Sequence, residues 1–316
     1  AEEPATAEAE YKLGMGVTVS TASSKAGNAQ VDATVAAVVV DAEGKIVACR
    51  LDVAQSKMDV TDGAVEADKT FKSKMELGDD YGMVAYGSAI AEWYDQAKAF
   101  EAYVVGMTGA EVEALETVES NGHNISTDEA LLAGCTMDIT AFKATVAKAA
   151  ADAFAKTFTA AGDFTVGVAC VTEASSSKEA TDEEDGIAAM YTHFAAVVAD
   201  AEGKILAASI DAVQPKIAID TDGEIGDTTF NGTKKELGDD YNMVKFGSAI
   251  AEWYAQTIAF EDYIAGMTGE EVAAIETVDK GDGEHFIAVD EALLAGCTMS
   301  IVPLQEVVAV AATYVR

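Results

Sequence analysis

The chain has 316 residues, half of them hydrophobic, and carries a formal net charge of −35 at pH 7. So strong a negative charge repels phosphate backbones and anionic lipid, which excludes nucleic acid and anionic membrane surfaces as partners. No segment approaches the roughly 20 apolar residues of a membrane-spanning helix, so no transmembrane segment is predicted.

The first ten residues, AEEPATAEAE, form a small acidic segment that we assign to an N-terminal tail, residues 1–10. A start of this kind without Met is typical of a chain from which a secretory signal has been removed. It predicts an extracellular or cell-surface protein.

The rest of the chain contains one segment twice, at residues 76–108 and 236–268, with 24 of 33 paired residues identical. The spacing between the copies matches the size of a typical domain. It therefore predicts two tandem repeats, residues 11–158 and 163–316.

Each predicted repeat begins with strands. Apolar and polar residues alternate from Tyr11 and from Phe164, which predicts a first strand in each copy. Hairpins follow at residues 34–55 and 193–214, where Val-, Ile- and Ala-rich runs flank an Asp-Ala-Glu-Gly turn. Further strands are predicted near residues 57–60 and 216–219.

A long helix is predicted next. Apolar residues recur every three or four positions from Ile90 through Trp93 and Phe100 to Val104, with Ser88 placed to act as the N-cap. The equivalent residues of the second copy are Ser248, Ile250, Trp253, Phe260 and Ile264. The Thr-Gly-x-Glu-Val segment that follows in each copy is a capping box, which predicts a short second helix.

The end of each repeat is predicted as a helical turn, a strand and a helix. In the first copy the turn starts at Asp128, Cys-Thr-Met-x-Ile alternates like a closing strand, and the last helix covers residues 141–154. The predicted fold class is α+β, with two tandem repeats. Each is a small antiparallel sheet with a β-hairpin, packed by a long helix, a short helix and a C-terminal helix.

Two acidic segments are candidate metal sites. The repeated ELGDDY sequence supplies possible ligands for a hard cation such as calcium, and the alternative is a solvated turn before the helix, which the sequence favours. These candidate ligands are Asp79, Asp80, Asp239 and Asp240. Residues 220–227, DTDGEIGD, resemble the start of an EF-hand loop, but Asn231 stands where the bidentate acid belongs. A hairpin turn is the favoured interpretation there.

Histidines and cysteines give weaker signals. His123 and His285 occupy equivalent loop positions, each five residues before an Asp. They are candidates for ligands or proton carriers, and the alternative is that they are surface or turn residues. The four cysteines, Cys49, Cys135, Cys170 and Cys297, show no CxxC or metal spacing. This pattern favours free, buried thiols over disulfides.

The whole pattern resembles a known family. A hairpin with an Asp-x-x-Gly-Lys-Ile turn, middle helices, a Gly-x-Thr segment and a final Ala-rich helix are similar to the FMN-binding domain of exported redox proteins of anaerobic bacteria. The resemblance covers nearly all of both repeats. Flavinylated members of that family carry FMN through a phosphoester on the last hydroxyl of Asp-x-x-Ser/Thr-Gly-Ala-Thr/Ser.

The resemblance implies two acceptor sites in this chain. The matching segments are Ala-Gly-Cys-Thr, with Thr136 and Thr298 as FMN acceptors beside Gly134 and Gly296. The chain departs from the family motif because Ala replaces Ser/Thr and Cys replaces Ala. Asp128 also lies eight residues before Thr136, whereas the Asp of the family motif lies six residues before the acceptor.

Two functions are compatible with these observations. One is an exported, non-catalytic structural or binding protein without a cofactor, whose repeats self-associate into a homopolymer such as a surface layer or filament. The alternative is an extracellular FMN electron-transfer protein with FMN on Thr136 and Thr298. Because the flavinylation motif is altered and no hydrolase, P-loop, Rossmann or HExxH motif occurs, the sequence favours the first and predicts that the chain is not an enzyme.

Overall fold

A computed structural model describes residues 8–315, which fold into a mixed structure of the α+β class. The strands are β1 (Ala9–Ser20), β2 (Asn28–Val40), β3 (Ile46–Asp59), β4 (Thr117–Ser120), β5 (His123–Ser126), β6 (Lys156–Ala160), β7 (Thr165–Glu173), β8 (Gly186–Ala189), β9 (Tyr191–Ala199), β10 (Ile205–Val213), β11 (Lys216–Ile219), β12 (Ile225–Thr229), β13 (Thr277–Asp279) and β14 (Phe286–Ala288).

The helices are α1 (Lys74–Leu77), α2 (Met83–Gly87), α3 (Trp93–Tyr103), α4 (Gly109–Glu113), α5 (Glu129–Leu132), α6 (Thr140–Ala150), α7 (Lys234–Leu237), α8 (Met243–Gly247), α9 (Trp253–Tyr263), α10 (Gly269–Ala273), α11 (Glu291–Leu294) and α12 (Val302–Thr313). Within the described part of the chain, no helix has both the length and the apolar character needed to cross a bilayer. Below, residues 8–160 are called the first half and residues 161–315 the second half.

The strands form antiparallel sheets whose hairpins follow the predicted turns. The first large sheet has the order β3-β2-β1-β6, and the second has the order β10-β9-β7. Gly44 and Gly203 have φ values of +77° and +76° in the two tight turns, a conformation that glycine adopts at little cost. Ala9 and Glu10, which the sequence assigns to the tail, pair with β6.

The hairpins differ in length between the halves. The strand predicted near residues 57–60 is wrong as a separate element, because β3 continues through Lys57 to Asp59 without a break. In the second half β10 ends at Val213 and β11 starts at Lys216. Pro215 lies between them and has no N–H to donate, which accounts for the interruption of the ladder.

The two large sheets pack face to face. Alternate residues of a strand point to opposite faces, so Val35 and Val39 of β2 enter a central core that also contains Val168 and Phe194 of the second sheet. Val38 faces the other way, toward α3 and α6. Helices α9 and α12 cover the outer face of the second sheet in the same manner. The order of layers is helices, sheet, sheet, helices.

Glycines on the first strand of each sheet let a helix lie directly on the backbone. A Cβ atom on Gly14 would stand 2.0 Å from the carbonyl oxygen of Ala149 in α6. A Cβ on Gly167 would stand 2.1 Å from the oxygen of Ala311 in α12. No larger side chain fits at either strand position without moving the helix.

The start of the long helix differs from the prediction. Helix α3 begins at Trp93, and Ser88 ends α2 in the left-handed conformation with φ of +54°. The N-cap assignments of Ser88 and Ser248 are therefore wrong. Glu92 instead accepts hydrogen bonds from the backbone N–H groups of Met83 and Val84, at 2.8 and 3.0 Å, and so caps α2.

The remaining local signals divide into correct and incorrect ones. Both capping boxes form at α4 and α10, and Asp128 caps α5 as expected. The predicted closing strand is wrong, because Cys-Thr-Met-x-Ile lies in a loop instead. The predicted last helix is too long, since α6 ends at Ala150. The small hairpins β4–β5 and β13–β14 were not predicted.

An exposed apolar segment precedes the long helix in each half. Tyr86 is 90% exposed and Phe246 is 77% exposed, and Ile90 and Ile250 also lie at the surface. All four cysteines are buried and none forms a disulfide within residues 8–315, as the sequence favours.

Candidate functional site

The two predicted acceptor threonines are held by buried glutamines. The side-chain oxygen of Gln96 accepts hydrogen bonds from the backbone N–H of Thr136 at 2.9 Å and from its hydroxyl at 3.3 Å. Gln256 holds Thr298 in the same way, at 2.8 and 3.3 Å. Both glutamines are fully buried. They fix the loop that the sequence misread as a strand.

The neighbouring glycines are explained by packing. A Cβ on Gly134 would lie 2.7 Å from the Cβ of Ala99 in α3, and a Cβ on Gly296 would lie 2.7 Å from the Cβ of Ala259 in α9. Glycine at these positions lets the loop approach the long helix closely. Their predicted contact with a cofactor stays a prediction.

A cavity of about 650 Å³ lies beside the second of these loops. Met299 and Ser300, which directly follow Thr298, form part of its lining. Aromatic and apolar side chains make up much of the rest: Tyr191, Tyr241, Met243, Trp253, Pro303 and Leu304. This volume is within the range of roughly 300–1,000 Å³ that ligand sites of proteins occupy.

A buried lysine lies inside this aromatic wall. The Nζ atom of Lys234 is 4.5, 4.6 and 5.1 Å from the ring centroids of Tyr191, Tyr241 and Trp253, respectively. It donates a hydrogen bond of 2.5 Å to the hydroxyl of Tyr191. The residue is 5% exposed, and within residues 8–315 it forms no ion pair with a carboxylate.

Burial controls the charges in this cavity. Loss of hydration lowers the pKa of Lys234 to about 7, although Asp211 and Glu173 partly oppose that effect. Burial, and to a lesser degree the charge of Lys234, also lowers the pKa of His193 to about 3, so this imidazole is neutral at pH 7. The His193 and Tyr191 rings are 4.2 Å apart.

The mouth of the cavity is polar. His285 Nδ1 and a carboxylate oxygen of Asp282 are 2.8 Å apart, and both residues are exposed. Backbone hydrogen bonds, chiefly from His285, lower the pKa of Asp282 to about 2. Glu173 and Glu284 also line this rim and are exposed. His123 lies on β5 and is exposed.

The first half has a related but more open cluster. The Nζ atom of Lys74 lies 4.7 Å from the ring centroid of Tyr81 and 5.7 Å from that of Trp93, and the residue is only partly buried. Asp32 occupies the strand position that Tyr191 has in the second half. Its carboxylate accepts a hydrogen bond from the amide of Gln55 at 2.9 Å. The hydroxyl of Tyr81 donates to the oxygen of the same Gln55 side chain at 3.3 Å.

The predicted metal ligands hydrogen-bond to tyrosines or lie at the surface. The carboxylate of Asp79 accepts a hydrogen bond from the hydroxyl of Tyr94 at 2.9 Å, and Asp239 does the same for Tyr254 at 3.2 Å. The remaining predicted ligands, Asp80 and Asp240, are exposed. Nowhere in residues 8–315 do three or more His, Cys, Asp or Glu side chains form a group suited to a metal ion.

The acidic segment at residues 220–227 forms the favoured turn. The Asp220 carboxylate accepts hydrogen bonds from the backbone N–H groups of Asp222 and Glu224, both at 2.9 Å. This turn joins β11 to β12, which pair as an antiparallel hairpin. The hairpin prediction is therefore confirmed.

A second cavity, of about 760 Å³, lies between the halves. The buried Lys235 in its lining is paired, since its Nζ is 2.8 Å from a carboxylate oxygen of Glu261 and 3.0 Å from the hydroxyl of Ser209. Burial raises the pKa of the adjacent Asp211 to about 6. Lys235 of this second cavity is therefore paired with a carboxylate, whereas Lys234 forms no ion pair with a carboxylate of residues 8–315.

The search for sites from sequence missed Lys234 and Tyr191. Both copies carry a lysine at this position, Lys74 and Lys234, but Tyr191 has no counterpart of its own type in the first half, where Asp32 stands. The two residues are 43 positions apart. The one available signal was the lysine shared by the two copies, Lys74 and Lys234, immediately after an N-capping Ser or Thr.

Comparison with known proteins gives one partial match. The chain is 38% identical over 94 residues to a protein named chlorophenol reductase from Desulfitobacterium hafniense, and the match covers 25% of this chain and 28% of that protein. The chain thus spans about a quarter of the length of the curated relative that it matches. No family model and no solved structure matches.

This match corrects one prediction. The expectation that the chain is not an enzyme is wrong, because the relative is named as a reductase. The resemblance to FMN-binding domains stays a prediction.

Proposed function

We propose that this chain is a flavin-binding redox protein of a reductase system, with FMN in the cavity over Lys234 and its phosphate at Thr298. The observation that carries the proposal is a buried lysine without a carboxylate partner in residues 8–315, enclosed by aromatic rings in a cavity that the two residues after the predicted acceptor, Met299 and Ser300, help to line. The name of the partial relative supports a redox role.

The residues present fit such a cofactor. Tyr191, Tyr241 and Trp253 line the cavity and supply aromatic surface that a fused ring system would contact. A cation near the ring favours negative charge on it, and Lys234 is such a cation when protonated. Bound FMN would supply the ability to accept electrons and pass them on.

The acceptor loop is oriented for attachment. Because the hydroxyl of Thr298 donates a hydrogen bond to the side-chain oxygen of Gln256, the lone pairs of the hydroxyl oxygen stay available to other groups. The backbone N–H of Thr298 is held by the same amide oxygen, which prevents the loop from rotating away. Met299 and Ser300, the two residues after Thr298, line the cavity, which supports an attachment point near it.

We extend the proposal to the plan of the whole chain. Residues 11–158 and 163–316 are then two copies of one flavin-binding unit, with Thr136 as the second acceptor. The support is the matched Gln–Thr geometry of the two loops and the lysine–aromatic cluster near each.

The experiment is intact-mass measurement and visible absorbance of protein purified from its native source or from a host with a flavin-transferring enzyme. We expect flavin absorbance and added mass of FMN less one water per occupied threonine. Thr298→Ala should remove one flavin, whereas the matched control Thr298→Ser keeps the hydroxyl and should retain it. A bare polypeptide mass without flavin absorbance, together with no binding of added FMN, would refute the proposal.

Export and self-association remain predictions. The exposed apolar side chains of Tyr86 and Phe246 favour a surface that contacts another protein. Light scattering over a range of concentrations tests self-association, and a constant monomer mass would contradict it.

A further inference from the structure

We propose that the two candidate flavin sites are unequal, and that Lys234 makes the second-half site the stronger electron acceptor. The inference rests on the proposed function. It concerns which site holds electrons, a question that the presence of flavin alone does not answer.

The second-half site places a cation in a nearly dry environment. The titratable and charged groups facing Lys234 are Tyr191, Tyr241, His193, Asp211 and Glu173. Glu284 and His285 line the same cavity and are exposed. Both tyrosines and the histidine are neutral at pH 7, because burial raises the pKa values of the tyrosines and lowers that of His193. Glu173 is exposed, so solvent screens its charge.

The remaining carboxylate does not distinguish the two sites. Asp211 has an equivalent in Asp52 of the first half, and burial raises the pKa of each to about 6. Each accepts hydrogen bonds from the backbone at the start of the following helix, at Met75 and Lys235 respectively. The effect of these two acids on their sites is therefore similar.

Asp32 of the first-half site is a partly buried carboxylate, whereas Glu173 and Glu284, which line the second-half cavity, are exposed. Asp32 stands in place of Tyr191 and is linked through Gln55 to the hydroxyl of Tyr81, whose ring lies under Lys74. Lys74 itself is partly exposed, so water weakens its field. A carboxylate and a hydrated lysine stabilise added electrons less than a buried lysine does.

Reduction of a flavin beside Lys234 would be coupled to proton uptake by the lysine. Reduction of a flavin to its anionic form adds two electrons and one proton to the ring, with the electrons delivered by a low-potential one-electron donor. At neutral pH a fraction of Lys234 is unprotonated, because its pKa is about 7. Lys234 then takes a second proton from solvent, so that a buried ion pair forms with the added charge.

The test is redox titration, with dithionite as donor, of Thr136→Ala and Thr298→Ala proteins, which retain the second and first site respectively. We expect the higher midpoint potential at the second site. Lys234→Met in the Thr136→Ala protein should change the ratio of oxidised to reduced flavin at least tenfold, equivalent to about 30 mV for a two-electron couple. Lys74→Met in the Thr298→Ala protein is the matched control and should have a smaller effect.

Two further variants keep the test decisive if Lys234→Met fails to fold. Lys234→Arg should retain the high potential but lose the steeper fall of potential with pH above about 7, because arginine does not titrate there. Asp32→Asn in the Thr298→Ala protein removes the negative charge and should raise the potential of the first site.

The outcomes separate the two proposals. Absence of flavin from both proteins would refute the proposed function. Flavin at both sites with equal or reversed potentials, or no effect of the Lys234 variants, would refute only the present inference. Flavin at one site alone would also refute it, because no ordering of two centres would then exist.

Discussion

The two lysine–aromatic clusters start from the same side chains and differ in their enclosure. Lys74 with Tyr81 and Trp93 repeats Lys234 with Tyr241 and Trp253. The second cluster is buried because a strand outside the identical segment contributes Tyr191. The repeated segment (residues 76–108 and 236–268) thus provides the same framework in both halves, and a strand that differs between the halves determines whether a closed cavity forms.

The largest expected effect is the rise of stability with pH above about 7 that comes from Lys234 in the second half. Burial lowers the pKa of Lys234 from its ordinary value of 10.5 to about 7, so between those values the unfolded chain binds more protons and stability rises with pH. The cost of burying the charge is fully present below pH 7. Loss of the proton at higher pH removes this cost, which raises the unfolding free energy by up to about 5 kcal/mol for a pKa shift of this size.

Urea unfolding at pH 7 and pH 9.5 measures this effect. Lys234→Met should remove most of the rise in unfolding free energy between the two pH values. Lys74→Met should leave the rise unchanged. An equal rise in unfolding free energy between the two pH values for wild type and Lys234→Met would show that the lysine is not buried as described.

Removing the tryptophan should separate stability from binding. Trp253→Ala and Trp93→Ala each delete a buried side chain, and each should cost about 3–5 kcal/mol in unfolding free energy. Trp253→Ala should also weaken binding of added FMN, measured by fluorescence quenching, more than Trp93→Ala does, because Trp253 lines the cavity. Equal losses of FMN binding in both variants would contradict the contrast between the clusters.

The glutamine–threonine bonds should behave alike in both halves. Gln96→Leu and Gln256→Leu each leave the threonine N–H without its partner, at an expected cost of about 1–3 kcal/mol. Gln256→Leu should also reduce the flavin content of Thr298 measured by intact mass. An undiminished content would show that the hydroxyl does not need this orientation.

The smallest effect concerns the interrupted hairpin. Pro215→Ala supplies the missing N–H and should extend the pairing of the second half toward the continuous form of β3. We expect a change of less than about 1 kcal/mol in unfolding free energy, because only one position of the ladder changes. Slower amide hydrogen exchange at residues 213–216 would show the extension, and unchanged exchange would show that another residue interrupts the strand.

Local features were predictable from the sequence, and long-range ones were not. The turns at Gly44 and Gly203 and the capping boxes depend on residues that are neighbours in the chain, and the structure confirms them. The prediction for Ser88 was wrong because a polar residue before an apolar pattern can either end one helix or begin the next. Cys-Thr-Met-x-Ile was misread because a fully buried Gln96, 40 residues away, holds it as a loop.

The candidate site was predictable only in part. The threonines and their glycines were found through a motif, but the cavity depends on Lys234 meeting Tyr191 across 43 residues. Helical and strand periodicity assign residues to faces of an element and do not show which elements share a face. A lysine also reads as a surface residue in any sequence pattern, since burial of its charge is rare.

The central core between the two sheets has a consequence for how the halves hold together. In a protein made of two chains, contact between such faces would be lost on dilution. Here a single chain joins them, so the effective concentration of one sheet for the other is set by the connecting segment and stays constant at any protein concentration. A cut near residue 161 should therefore convert the fold into an association equilibrium, and each fragment alone would present Val and Phe side chains to water.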